Sequence, residues 1–376
     1  MNKKKIDIKN TATKFFVYIC AFLIMLFSLK EIRALMDLVY SDSVNINIWL
    51  RTIIMVVVVW FCFMFSIIIH EAGHLVFGLI SGYKFCSFRI SKFIILKENE
   101  KLKFKRIKIA GTGGQCLMCP PQLKDGKMPV VLYNLGGVIF NLIFGFVFLF
   151  TYKFIDNPIF SLAFLLSFIL NMIFLLSNGI PMRLIVNNDG YNALHLGKDE
   201  DAMKALWIQL KVNELQTNGI RLKDMPKELF IMPTDEKMQN SMISTVGVFC
   251  ANRLIDESNF EEEYNAINHL LSLDNGITPI HKYLLLCDKI YLDLVYRNQK
   301  DEIQNLLSNE LKNFMKSMKK YPSILRTEYA IALLYENNVE KANNIKKEFD
   351  KISKNYPYQI DIDSEKELIL LCDQIK

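Results

Sequence analysis

The sequence predicts an α-helical polytopic membrane protein of about four transmembrane helices, with a small membrane-associated β-hairpin, followed by an all-α, tetratricopeptide-like domain. Two observations carry this expectation. Four uncharged apolar runs, Phe15–Leu29, Thr52–Ile69, Val130–Thr151 and Ile159–Ser177, lie in the first half of the 376-residue chain. The second half turns to Lys, Glu, Asn and Asp, with apolar residues recurring at helical spacing. Three divisions follow: an anchor span with a short external loop (1–47), a membrane core (48–195) and a soluble helical domain (196–376).

A span needs roughly 20 apolar residues, so the last three runs qualify, the second continuing through a polar interruption to Ile80. The first is shorter, and its basic start has the look of a secretory signal. No small-x-small cleavage site follows it, and Lys30, Glu31 and Arg33 come at once, which favours a retained anchor. Orientation follows from the connecting loops. Residues 1–14 carry five Lys and one Asp, and 30–51 carry three basic and three acidic residues. Residues 81–128 carry eleven basic and three acidic, and 152–158 one of each. The positive loops belong on the cytoplasmic side, so the N-terminus, the 81–128 connection and everything after residue 178 should face the cytoplasm. Much of the net charge of +6 is then a topology signal beside anionic lipid headgroups, not a nucleic-acid surface. The eight cysteines are scattered and resemble no disulfide framework, which suits a reducing compartment. Cys116 and Cys119 form a lone C-x-x-C without the second pair a zinc knuckle needs, so they read as structural thiols.

The polar interruption is His70-Glu71-Ala72-Gly73-His74. On a helix, His70 and His74 project from one face a turn apart and can point nitrogens at one metal ion. Glu71 sits beside them, placed to take a proton from water without being a ligand, which is the H-E-x-x-H pattern of zinc hydrolases. Two core histidines with an incidental glutamate would need partners for three polar groups inside an apolar helix, a costlier account. Zinc in a catalytic site takes a third protein ligand and keeps a fourth position open. The second and fourth spans both run towards the cytoplasm, which brings Asp189, beyond the Asn178-Gly179 and Pro181 helix stop, to the level of His70. An ordinary Asn-Asp-Gly turn explains Asp189 equally well from the residues alone.

Taken together, the HEAGH of 70–74 in one span, Gly137-Val-Ile-Phe-Asn141 in the next and Asn188-Asp189-Gly190 after the following one resemble the site-2 protease family of intramembrane zinc metalloproteases. The resemblance covers roughly residues 50–195. It implies one zinc ion per chain held by His70, His74 and Asp189, with Glu71 as general base. It also implies that Asn141, with Gly137, holds the substrate backbone or the developing oxyanion. The family usually has Gly-Pro where this chain has Gly137-Val138, and often Pro-Leu-Asp-Gly where it has Asn187-Asn188-Asp189-Gly190. The implied substrate is a membrane-anchored protein or peptide, cleaved close to the cytoplasmic face. A helical substrate hides its carbonyls in internal hydrogen bonds and must unwind first. Residues 84–109 alternate like two strands around Lys-Glu-Asn-Glu-Lys, an edge to which an unwound segment can add.

Beyond residue 195, helical patterns cover Asp201–Gln216, Phe260–Leu273, Ile280–Arg297, Glu302–Lys319, Leu325–Glu336 and Glu340–Tyr356. These helices offer either a docking surface for a peptide or protein partner or simply a stabilising domain. Two readings compete with a protease: a catalytically silent membrane-anchored adaptor, and a small transporter. The adaptor has no need of Glu71, and the transporter expects paired halves that the four spans do not show.

Overall fold

The computed structural model describes residues 3–41, 47–107, 112–184, 186–274 and 276–375. Among them, four helices are long and apolar enough to cross a membrane: Asn10–Val39 within α1 (Lys3–Val39), α2 (Ile48–Ile80), Val131–Phe154 over α3 (Val131–Thr151) and its 3-10 extension, and α4 (Pro158–Gly179). The first span is longer than its apolar run, because Lys30, Glu31 and Arg33 continue the helix without a Gly or Pro to stop it. Asn157 caps α4 by accepting from the Ile159 and Phe160 amides at 3.0 and 3.3 Å, and Pro158 opens its first turn. Large apolar side chains such as Phe27, Trp60, Phe61 and Phe150 stay exposed on the spans, as lipid-facing positions do.

The chain divides into two compact units, residues 1–90 with 113–199, and residues 91–112 with 200–376. In the first, helices α2 and α3 meet backbone to backbone. A Cβ added at Gly73 would lie 2.2 Å from the Gly136 carbonyl oxygen, and one at Gly136 would lie 2.4 Å from that of Gly73. Only glycine at both positions permits this approach. Strands β1 (Lys84–Ile90) and β4 (Gly114–Cys119) form an antiparallel pair in the same unit, irregular between Phe85 and Ser87.

The 84–109 stretch differs from its expected form. Its Lys-Glu-Asn-Glu-Lys turn exists, with Asn99 and Glu100 both at positive φ, but it joins β2 (Phe93–Glu98) to β3 (Lys101–Arg106). Residues 84–90 form a separate strand, set off by Ser91 at φ 53°. Residues 108–109 lie outside the described residues. The β2–β3 hairpin belongs to the second unit, where Ile94, Leu96 and Ile107 pack with Tyr356 and Tyr358. Alternation explains this, since Ile94 and Leu96 share one face while Phe93 and Ile95 point the other way.

Helix α5 (Asp189–His195) lies at the end of the first unit, and the second continues with the helices α6 (Glu200–Thr217), α7 (Ser241–Asp256), α8 (Phe260–Ser272), α9 (Pro279–Val295), α10 (Ile303–Leu306), α11 (Asn309–Ser317), α12 (Pro322–Ala330), α13 (Val339–Ser353) and α14 (Gln359–Ile375). Helices α7 and α14 are not apparent from sequence. Most of α7 is buried, so it lacks the polar face that marks an amphipathic helix, and α14 opens with Ile360-Asp361-Ile362-Asp363, an alternation that mimics a strand. The expected Glu302–Lys319 helix is broken at Ser308, whose hydroxyl accepts from the Leu311 amide at 3.2 Å and restarts the chain as α11.

The core of this unit contains a charge. Arg326, 1% exposed, donates to Asp288 at 2.5 Å and Glu365 at 3.0 Å and lies over the Tyr291 ring at 4.4 Å. Arg326→Met leaves those carboxylates buried without a cation and is expected to destabilise the domain by about 3–5 kcal/mol, read from denaturant unfolding of the full chain. Burial, with Glu365 and Asp256 nearby, pushes the Asp361 carboxyl from an ordinary 3.8 up to about 7. The folded state therefore holds this proton more tightly than the unfolded chain, so its contribution to stability falls as pH rises from about 4 to about 7. Asp361→Asn is expected to flatten that slope, raising the thermal midpoint at pH 8 with little change at pH 4.

Candidate metal centre

His70 and His74 lie a turn apart near the end of α2, their Nε2 atoms 3.2 Å from each other. Each ring is held from behind by α3. His74 Nδ1 is 2.8 Å from the Tyr133 carbonyl oxygen, which only accepts, so Nδ1 carries the proton and the Nε2 lone pair points inward. His70 Nδ1 is 2.7 Å from Asn141 Oδ1. The His70 ring rests on Gly137, where an added Cβ would meet it at 2.6 Å. Tyr133, Gly137 and Asn141 recur every fourth residue and so line one face of α3.

Asp189 opens α5 and completes the group. Its Oδ2 lies 3.1 Å from His70 Nε2 and 3.4 Å from His74 Nε2. For zinc–ligand distances of about 2.0–2.1 Å, a tetrahedron has edges of about 3.3 Å, so the three donor atoms already form one face of such a site. Asp189 Oδ2 is buried without a hydrogen-bond donor, and the lone pairs of two imidazoles face it. A bound cation relieves that convergence.

The loop that delivers Asp189 is tied down by its neighbour. Asn188, 7% exposed, accepts from the Met182 amide at 2.9 Å and the Tyr191 amide at 3.1 Å. It also donates to the Ser177 and Ile180 carbonyls at 2.8 and 2.7 Å. One carboxamide thus ties four backbone groups of the loop together. Gly190 lets α5 press on the end of α4, where a Cβ would lie 2.1 Å from the Gly179 carbonyl oxygen.

Glu71 stands outside the donor triangle, on a cavity of about 250 Å³ lined also by Phe63, Ile67, His70, Gly114, Phe174 and Asn178. Its carboxylate accepts a hydrogen bond from the Cys116 backbone amide. Gly114 leaves it room, since a Cβ there would sit 2.7 Å from Oε1. Asn141 is fully buried, committed to His70 and to Asn171 at 2.7 Å, and does not line the cavity. Gly137 lies behind His70. Asn178, which sequence reading treats only as part of a helix stop, is on the cavity wall. Its signal was a polar residue at the membrane level assigned to His70. Ser66 and Asn171, both fully buried, stand in no recognisable motif, although polar groups inside spans are expensive enough to mark function. Cys116 and Cys119 form no disulfide; three apart in β4, they point to opposite faces, and burial pushes the Cys116 thiol up. His195, His269 and His281 belong to other surroundings; His269 pairs with Asp235 at 2.9 Å.

A donor triangle for a metal, with a free carboxylate beside it and a bundle of apolar helices around both, defines a metallopeptidase-type centre inside a membrane protein. The chain belongs to peptidase family M50, the site-2 protease family, whose model matches residues 58–326. No curated protein and no solved structure matches the chain.

Gly190→Ala leaves every candidate ligand in the chain but forces α5 away from Gly179. It is expected to weaken zinc binding by at least about tenfold, measured by chelator competition on the purified protein.

Proposed function

We propose that this chain is a zinc-dependent intramembrane endopeptidase that cleaves a peptide bond in or near a substrate's membrane segment, close to the cytoplasmic face. The observation that carries the reading is the His70–His74–Asp189 triangle, with edges of 3.1–3.4 Å and Glu71 free beside it. A zinc ion held there supplies a Lewis acid for the scissile carbonyl and makes water a stronger acid. Glu71 accepts the proton of the attacking water, whose oxygen bonds to the carbonyl carbon. As the C–N bond breaks, Glu71 returns that proton to the leaving nitrogen, so a new carboxyl and a new amine form. The Tyr133 carbonyl and Asn141 keep the two imidazoles oriented. Asn178, whose NH₂ donates to the Phe174 carbonyl at 3.1 Å and the Ser177 hydroxyl at 3.4 Å, offers the cavity its carboxamide oxygen for the substrate backbone.

Strand β4 borders the cavity through Gly114. We place an unwound substrate segment along that border. Loop charges support a cytoplasmic N-terminus, metal centre and C-terminal domain, and the helices of that domain suit a peptide or protein partner. An adaptor reading leaves Glu71 on a cavity with no task.

Glu71→Gln is expected to lower cleavage by about 10²–10⁴-fold with zinc content unchanged. The measurement is the set of membrane peptides accumulating in cells with wild-type and variant protein. Identical peptide sets, with zinc bound in both, would overturn the protease reading.

A further inference from the structure

Among the buried polar groups, one set lies beyond the ligands and the base. Asn141 Nδ2 donates to Asn171 Oδ1 at 2.7 Å and makes a longer contact to the Ser66 carbonyl at 3.5 Å. Asn171 Nδ2 donates to the Ser167 carbonyl at 2.7 Å and to Ser66 Oγ at 3.0 Å. Ser66 in turn donates to the Cys62 carbonyl at 2.9 Å. Ser66, Asn141 and Asn171 are all fully buried, on α2, α3 and α4. Hydrocarbon gives such groups no solvent to pair with, so each hydrogen bond in the set constrains the next.

The direction of the chain is settled at its far end. A backbone carbonyl only accepts, so the Ser167 carbonyl must face the NH₂ side of Asn171. Asn171 then presents its oxygen to Asn141, which must answer with its own NH₂ side. Asn141 is left with its oxygen towards His70 Nδ1, 2.7 Å away. An acceptor there requires the proton on Nδ1 and frees the Nε2 lone pair for the metal. Were Asn141 flipped, its NH₂ would face Nδ1, draw the lone pair to that side and put the proton on Nε2, inside the donor triangle.

We infer that Asn171, with Ser66, is a positioning residue: it fixes the flip of Asn141 and thereby holds His70 in the tautomer that binds metal. This rests on the reading of His70 as a zinc ligand, and it assigns a role in metal affinity to a side chain that touches neither metal, substrate nor cavity.

The test is zinc affinity of the full chain in detergent, by competition with a chromophoric chelator, with thermal midpoints measured alongside. Asn171→Leu is expected to weaken zinc by about 10–100-fold, the range for losing a group that orients a ligand. Asn171→Asp, able as a neutral acid to donate to the Ser167 carbonyl and accept from Asn141, is expected to bind within about threefold of wild type. The discriminating variant is Asn171→Leu combined with Asn141→Asp. A carboxylate accepts from His70 whichever way it rotates, so the anchor becomes superfluous and most of the affinity returns. A role in packing alone would give no such rescue. Unchanged affinity in Asn171→Leu, or a double variant as weak as the single one, overturns the inference. Where Asn171→Leu fails to accumulate, Asn171→Ala carries the same readout without added bulk. Wild-type protein that binds no zinc would instead overturn the metal reading itself, so the two failures are distinguishable.

Discussion

The contact of Gly73 with Gly136 is the constraint on which the rest of the membrane unit depends. At these positions α2 and α3 touch through backbone atoms, and a single methyl group on either would push them apart. That closeness puts the Tyr133 carbonyl within reach of His74, seats His70 on Gly137 and brings Asn141 to the far side of the same ring. Helix packing in lipid draws little from burying apolar surface, because lipid chains are as apolar as leucine. Close approach and interhelical hydrogen bonds therefore do most of the work, and here the groups making those bonds are the ones that orient the histidines.

Asp189 reaches the site by a different device. It comes from a short helix after the last span, through a loop whose order rests on the hydrogen bonds of Asn188 and on the contact of Gly190 with Gly179. Two corners of the donor triangle are set by helical spacing and the third by a side chain that replaces regular structure. Rigid helices supply precision, and the loop lets a residue more than a hundred positions away close the triangle.

The second unit is held by an apolar helical core that encloses the Arg326 guanidinium. Its unexpected member is the β2–β3 hairpin, taken from the connection between two spans. The family match extends to residue 326, well into these helices, so the domain is part of what the family model recognises.

By itself, the sequence determined the membrane class and the identity of the candidate ligands. Long apolar runs can only be spans, and His70, Glu71 and His74 in one of them need a chemical reason to be there. Helical periodicity is local, so it also disclosed most of the C-terminal helices, failing at α7, which has little polar face, and at α14, whose first turn alternates. What only the tertiary structure decided are the relations between helices. Asn141 reads as a substrate group by its motif, yet it is fully buried against His70, because burial depends on which face of α3 meets α2. Asn178 lies on the cavity and Asn171 behind the ligand for the same reason, although both are asparagines of α4 seven residues apart. Rotation of a helix about its axis is set by its neighbours, and no local pattern of residues specifies it.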